Sequence, residues 1–312
     1  MKINYGIPKK LKGQRIVTIG NFDGVHKGHQ SLLKFCCELA KKTQNISTVV
    51  TFKPHPIVFF KNKPHGCIHT LRDKVTEIKD ANVDHLIILP FNERLANLAA
   101  QKFIELLINH LGMKAIVVGK DFRFGKAREG NVSMLMHLGK LLKFKTYIAD
   151  DIIHENKKIS SSQIRNFAKK GFLEKVNTHR GRLLTITGRV LHGKKIGRTL
   201  EYPTLNIQVP EDLCIRGIFA VTVSEFKNSK PINFLPAIAS LGRRPTVENY
   251  GKLILEVHVL DWSSEIYGQL ISVQLHKKIR DEIKFDNLET LKKQMKLDEL
   301  KTRKFFKLNE KQ

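Results

Sequence analysis

The chain has 312 residues, 41% of them hydrophobic, and carries 55 Lys and Arg against 29 Asp and Glu, a formal charge of +26 at pH 7. That length has room for about two domains of ordinary size, each burying a core that needs no disulfide staples. The opening residues carry early charges and no signal-peptide-like apolar stretch, and nowhere do 18 or more apolar residues run together, so a soluble cytoplasmic protein is expected.

The first strong pattern is residues 16–29, Ile-Val-Thr-Ile-Gly-Asn-Phe-Asp-Gly-Val-His-Lys-Gly-His. Residues 16–19 suit a buried strand, and Asp23-Gly24 suits a sharp turn. Leu32, Leu33, Phe35, Cys36, Leu39 and Ala40 then recur at helical spacing, which places His26 and His29 at or near a helix's first turn. An i, i+3 pair shares one face, so both imidazoles can meet one ligand. A helix N-terminus favours an anion, and Gly20, Gly24 and Gly28 permit close backbone approach. Phosphate fits better than zinc, because no Cys or carboxylate stands at a useful offset.

Strand-like runs at 46–52, 85–89, 115–119 and 144–149 follow, alternating with helical patterns of which 99–111 is the clearest. The alternation predicts a parallel sheet with helices on both faces and a ligand site beyond the strands' carboxyl ends. Three further segments carry chemistry, the first of them at that sheet edge. Thr-Phe-Lys-Pro-His-Pro at 51–56 predicts His55 in an extended loop fixed by two prolines. Val-Gly-Lys-Asp-Phe-Arg-Phe-Gly at 118–125 puts Asp121, Phe122, Arg123 and Phe124 in a glycine-bounded loop, where aromatics and a cation suit a planar heterocycle bearing phosphate. Ile-Ser-Ser-Ser-Gln-Ile-Arg at 159–165 predicts a serine-capped helix with Arg165 in its first turn, a cap able to hold pyrophosphate.

Beyond residue 182 the pattern changes to short strand candidates at 183–191, 204–209, 218–226, 234–241, 253–260 and 270–276, separated by Gly and Pro turns. They predict an antiparallel β-barrel, closed by a helix over about 287–300. The short polar join at 178–182 divides the chain into domains 1–182 and 183–312. In the second domain a basic glycine-bounded loop with Gly193, Lys194 and Gly197 can fold over a triphosphate. Thr204 and Asn206 share one face of an extended strand, where a hydroxyl and an amide oxygen could reach one hard cation such as Mg²⁺, with ATP supplying most ligands. Glu256 interrupts the apolar run 253–260: either a buried carboxylate with the work of a general base, or an outward-facing residue on a half-exposed strand.

Cys36, Cys37, Cys67 and Cys214 show no paired metal spacing and read as reduced thiols, and His65, Cys67 and His69 read as a solvated loop with no metal site. The net charge points toward polyanions, but its lysines are spread in pairs such as Lys9-Lys10, Lys157-Lys158 and Lys292-Lys293. Weak nonspecific polyanion binding is expected, with no specific nucleic acid and no membrane partner.

In their order, Gly-Asn-Phe-Asp-Gly-Val-His-x-Gly-His, Thr-Phe-x-Pro-His-Pro, Gly-x-Asp-Phe-Arg-Phe-Gly and Ile-Ser-Ser-Ser-x-Ile-Arg resemble the adenylyltransferase half of the bacterial bifunctional riboflavin kinase/FAD synthetase family. The resemblance implies a Rossmann-like nucleotidyltransferase domain converting FMN and ATP to FAD and pyrophosphate. Gly20, Asn21, Phe22, Asp23, His26 and His29 would then serve ATP, Ser161, Ser162 and Arg165 its outer phosphates, and Asp121, Phe122, Arg123 and Phe124 would lie near FMN. The later motifs, with 240–246, Tyr267-Gly268 and 279–285, resemble the family's riboflavin kinase domain. That implies riboflavin and ATP giving FMN and ADP, with Gly193, Lys194 and Gly197 on ATP, Thr204 and Asn206 on Mg²⁺ and phosphate, Glu256 as base and Arg280 to Phe285 on the flavin side. FMN and FAD are then products, not prosthetic groups. Family members usually have Gly-Phe-Pro-Thr where this chain has Glu201-Tyr202-Pro203-Thr204, and Asn at Ser240, which implies an active kinase of altered ATP affinity. The alternatives are a chain with only the adenylyltransferase half active, or a basic RNA-binding protein on a degenerate nucleotidyltransferase scaffold. Oligomeric state is left open.

Overall fold

The computed structural model describes residues 1–61, 65–155, 157–191, 202–227, 230–243, 252–262 and 266–309. By compactness it divides into one unit of Met1–His65 with Lys74–Ser160 and a second of Gly66–Asp73 with Ser161–Gln312.

The first unit is built on β1 (Lys2–Tyr5), β2 (Arg15–Ile19), β3 (Ile46–Lys53), β4 (His85–Pro90), β5 (Met113–Gly119) and β6 (Lys145–Ala149). They pair in the order β1-β4-β3-β2-β5-β6, every pairing parallel. Between them run α1 (Lys27–Lys42), α2 (Pro56–Lys61), α3 (Leu71–Asp80, whose first residues belong to the second unit), α4 (Glu93–Ala96), α5 (Ala100–Leu111) and α6 (Val132–Leu142). Alternation along β2 divides its side chains between two cores. Val17 and Ile19 meet Phe103, Ile104 and Leu107 of α5, and Ile16 meets Cys36 and Ala40 of α1. Being apolar on both faces is what marks a strand as central in a parallel sheet. The expected sheet is therefore present, with β1, α2, α3, α4 and α6 added to the elements the sequence pattern announced.

Strand order reverses at β2, which pairs with β3 on one side and β5 on the other. The carboxyl end of β2 thus lies where ligands bind in open α/β sheets. A two-strand ribbon, β7 (Ile153–His154) with β8 (Lys157–Lys158), completes the unit.

The second unit carries α7 (Ser161–Lys169) and α8 (Leu173–Arg180), then a closed barrel of β9 (Leu184–Leu191), β10 (Leu205–Gln208), β11 (Gly217–Lys227), β12 (Lys230–Arg243), β13 (Leu253–Val259) and β14 (Leu270–Arg280). The closed order is β10-β13-β12-β11-β14-β9, all antiparallel, as the strand spacing predicts. Leu253, Leu255, Val257 and Val259 alternate with half-buried residues along β13, so the barrel's interior is packed with side chains. The closing helix α9 (Leu288–Phe306) starts where Asn287 accepts from the Thr290 N–H, as a capping asparagine should. It runs past the expected end near 300 because polar groups hold its last turns. Thr302 donates to the Asp298 carbonyl and buried Arg303 forks onto Asp261.

Candidate active sites

The turn leaving β2 is left-handed at three positions, Phe22 (φ 47), Gly24 (φ 78) and Val25 (φ 30). A β-branched valine there stores strain of roughly 1–3 kcal/mol, tolerated only where the surroundings fix the backbone. Phe22 and Val25 are fully buried, and Gln30 Nε2 reaches the Val25 carbonyl at 2.8 Å. The Asn21 carbonyl accepts from Thr51 Oγ1 at 3.2 Å and from Lys74 Nζ at 2.7 Å. Lys74 is a buried lysine that no sequence motif marked. The turn delivers His26 as the N-cap of α1. Its Nδ1 accepts the His29 N–H at 3.3 Å, which puts the proton of the neutral ring on Nε2. The two imidazoles stack with centroids 3.7 Å apart and planes at 21°, and Phe22 lies 5.1 Å from His29. Gly20, Asn21, Phe22, Asp23, His26 and His29 are thus one compact constellation, with Asp23 and His26 buried.

At the end of β5, Asp121 is in close contact with Lys158, whose ammonium also reaches Asp151 at 2.8 Å. Hydrogen bonding to Lys158 and its charge hold the Asp121 carboxyl below its usual range. Burial alone would lower the Lys158 ammonium, but the two carboxylates outweigh it and raise it. Phe122 and Phe124 stack at 5.5 Å. Phe124 is a core residue, buried against Phe103 and paired through its backbone with Gly130. Phe122, Arg123 and Asp121 instead line a cleft of about 400 Å³ with Lys120, Arg128 and the start of α6 at Asn131 to Ser133. His55 departs from the expected extended loop. It opens α2, with Nδ1 accepting from the Ile57 N–H at 3.2 Å and its ring stacked on His65 at 4.7 Å.

Ser161 and Ser162 open α7 in the second unit. Arg165 begins the second turn and not the first, donating to Ser162 Oγ at 3.2 Å.

In the barrel, Asn206 of β10, Glu256 of β13 and Ser240 of β12 stand in one register row. Directly paired residues share a face. Leu255 and Val257 fill the interior, so alternation places Glu256 on the outer face, half-buried beside buried Asn206. Asn206 Nδ2 donates to the Thr204 carbonyl at 3.3 Å, which turns Oδ1 the other way. Arg280 gives Asp298 a bidentate ion pair, Nε donating to Oδ1 at 3.0 Å and Nη2 to Oδ2 at 2.8 Å, and its guanidinium lies 5.8 Å from the Phe285 ring. Gly193, Lys194, Gly197 and Glu201 lie outside the described residues. Among those described, no group of three or more His, Cys, Asp or Glu is arranged to hold a metal ion.

The chain thus joins a parallel α/β sheet with paired histidines at its switch point to a closed antiparallel barrel bearing an outer Asn–Glu row, a two-part architecture with one polar constellation in each part. Residues 9–163 match the FAD synthetase family and residues 180–306 the riboflavin kinase family. The chain is 38% identical over 315 residues to the bifunctional riboflavin kinase/FMN adenylyltransferase of Buchnera aphidicola subsp. Schizaphis graminum, covering 99% of this chain and all of that one. With the Escherichia coli K12 protein of the same name it shares 38% over 296 residues, 94% of this chain and 93% of that one. A solved structure from Streptococcus pneumoniae described as a macrolide-efflux protein has a TM-score of 0.78 at 28% identity, covering 97% of this chain and 99% of its own. Among the described residues of this chain, no helix is long and apolar enough to cross a membrane. The chain belongs to the bifunctional riboflavin kinase/FMN adenylyltransferase family.

Proposed function

We propose that this chain makes FAD from riboflavin in two ATP-dependent steps in the cytoplasm, phosphorylation by the barrel half and adenylyl transfer by the α/β half. Family membership supplies the reactions. The observation that carries their assignment is that each unit holds its own constellation, the stacked His26–His29 pair in one and the Asn206–Glu256 row in the other. In function we keep residues 1–182 as the adenylyltransferase half, since its motifs run to Arg165, and 183–312 as the kinase half.

For adenylyl transfer the nucleophile is the FMN phosphate, ionised near neutral pH, so no strong base is needed. An oxygen of FMN attacks the α-phosphorus of ATP, the bond to the β-phosphate bridging oxygen breaks, and pyrophosphate leaves. His26 and His29 at the amino end of α1 stabilise charge on the α-phosphate as it builds. Gly20 to Asp23 shape the approach, Ser161, Ser162 and Arg165 take the outer phosphates, and Asp121, Phe122 and Arg123 face FMN. Phe124 supports that loop from the core.

For phosphorylation a ribityl hydroxyl must lose its proton, and Glu256 accepts it as the oxygen attacks the γ-phosphorus. Its place on the outer face suits this, because a base must meet solvent-borne substrate. Thr204 and Asn206 offer a hydroxyl and an amide oxygen, a hard-oxygen pair that fits Mg²⁺. The bound cation would neutralise charge on the β- and γ-phosphates. Gly193, Lys194 and Gly197 are assigned to the triphosphate. Phe285 lines the flavin side, steadied by Arg280.

Glu256→Gln should abolish FMN formation and leave FAD formation from supplied FMN, and His29→Ala should do the reverse. Loss of both reactions through either change, in protein that remains folded, would defeat the two-site assignment.

A further inference from the structure

The barrel's Pro203 to Asn206 segment is pinned at every step. The Pro203 carbonyl accepts from His258 Nδ1 at 2.9 Å, the Thr204 carbonyl from Asn206 Nδ2 at 3.3 Å, and Asn206 pairs in register with Glu256. One residue upstream, the Tyr202 ring packs edge-on against His258, centroids 4.9 Å apart, and its hydroxyl donates to Glu299 Oε2 at 3.0 Å. Glu299 is itself held still. Its other oxygen takes Arg303 Nε at 2.8 Å, and buried Arg303 forks onto Asp261 at 2.7 and 2.9 Å. The neighbouring carboxylate, Asp298, grips Arg280 at the end of β14. Two consecutive residues of α9 therefore hold the chain just before Thr204 and the strand just before Phe285.

We propose that Tyr202 and Glu299 form a brace that positions the Thr204–Asn206 oxygens, so that α9 sets how tightly the kinase half holds Mg²⁺-bound ATP. Both are positioning residues, acting through Pro203 and not on the substrate. The proposal rests on the reading of Thr204 and Asn206 as the cation-side pair. The Tyr202 hydroxyl is the critical atom, because the ring alone already packs on His258. Removing it loosens the segment's amino end by one hydrogen bond while the ring contact on His258 and the pins at Pro203 and Thr204 remain, so the oxygens keep their chemistry and their spacing is held less tightly. A cation with strict octahedral demands feels that loss more than the phosphate-transfer step does.

The test uses the full chain and follows ADP release, which only the kinase step produces, with ATP varied at several Mg²⁺ concentrations. Tyr202→Phe is expected to raise KM for ATP about threefold to tenfold at limiting Mg²⁺, the range of one hydrogen bond. Excess Mg²⁺ should restore it, kcat should change less than about twofold, and FAD formation from supplied FMN should not change. In a Glu299→Ala background the same change should have no further effect. An unchanged KM at every Mg²⁺ concentration overturns the brace, as does a parallel fall of kcat and melting temperature that Mg²⁺ does not reverse. Asn206→Ala separates the two readings. If it leaves ADP release intact, the cation-side assignment fails. If it abolishes ADP release while Tyr202→Phe is silent, only the brace fails.

Discussion

The stacking of His26 on His29 depends on an atom that Gly28 lacks. A Cβ there would lie 3.2 Å from both Cε1 and Nδ1 of the His26 ring, tighter than ordinary van der Waals contact, and 3.8 Å from the Ile159 carbonyl. Gly28 is the second residue of α1 and its backbone is not left-handed, so the helix itself does not require a glycine there and the space serves the imidazole. Gly28→Ala should leave the melting temperature within a few degrees. Turning the His26 ring breaks its acceptance of the His29 N–H, and adenylyl transfer should fall by about tenfold or more, mostly in kcat. Comparing FAD formation from supplied FMN with ADP release from riboflavin checks this. Equal loss in both reactions would mean that the glycine serves the fold.

At the scale of elements, α9 is anchored to the barrel by charge as much as by apolar contact. Asp298 is buried and takes Arg280 in a bidentate pair, with Gln294 adding a hydrogen bond at 2.9 Å. Removing one member of such a pair strands the other, so Asp298→Ala should cost about 3 kcal/mol, read as a lower urea midpoint at unchanged slope. Replacing both, Arg280→Met with Asp298→Leu, should recover most of it; failure to recover would show that the pair holds more than its own two charges. This kind of anchoring also explains what the sequence could disclose. Strands β2 to β6 and the barrel strands announced themselves because burial on one or both faces writes a period into the apolar residues, and the order of the motifs pointed to the family. Lys74, Lys158 and Asp298 left no such mark. Each acts by a polar contact to a residue far along the chain, Asn21, Asp121 and Arg280, and a charged residue on a helix or ribbon reads the same whether it faces water or a partner. The Glu256 strand falls between these cases. Alternation allowed either face, and only the pairing of β13 with β10 and β12 shows it beside Asn206 and Ser240.

Over the whole molecule, the +26 charge acts on substrates before any contact forms. A positive field draws in anions and raises their encounter rate, and salt screens it over a Debye length of about 10 Å at 0.1 M. The two reactions supply a built-in control, because riboflavin is neutral whereas FMN and ATP are anions. Raising ionic strength from about 0.02 to 0.2 M should therefore lower kcat/KM for ATP in both halves and for FMN in adenylyl transfer, by several-fold, and leave kcat/KM for riboflavin nearly unchanged at saturating ATP. The same scattered charge should bind RNA without sequence preference and release it over that salt range, with a steep dependence of affinity on salt. Salt-resistant, sequence-selective RNA binding would instead point to a built nucleic-acid surface. If riboflavin and FMN lost efficiency equally, salt would be loosening the protein, and the charge would have no part in substrate capture.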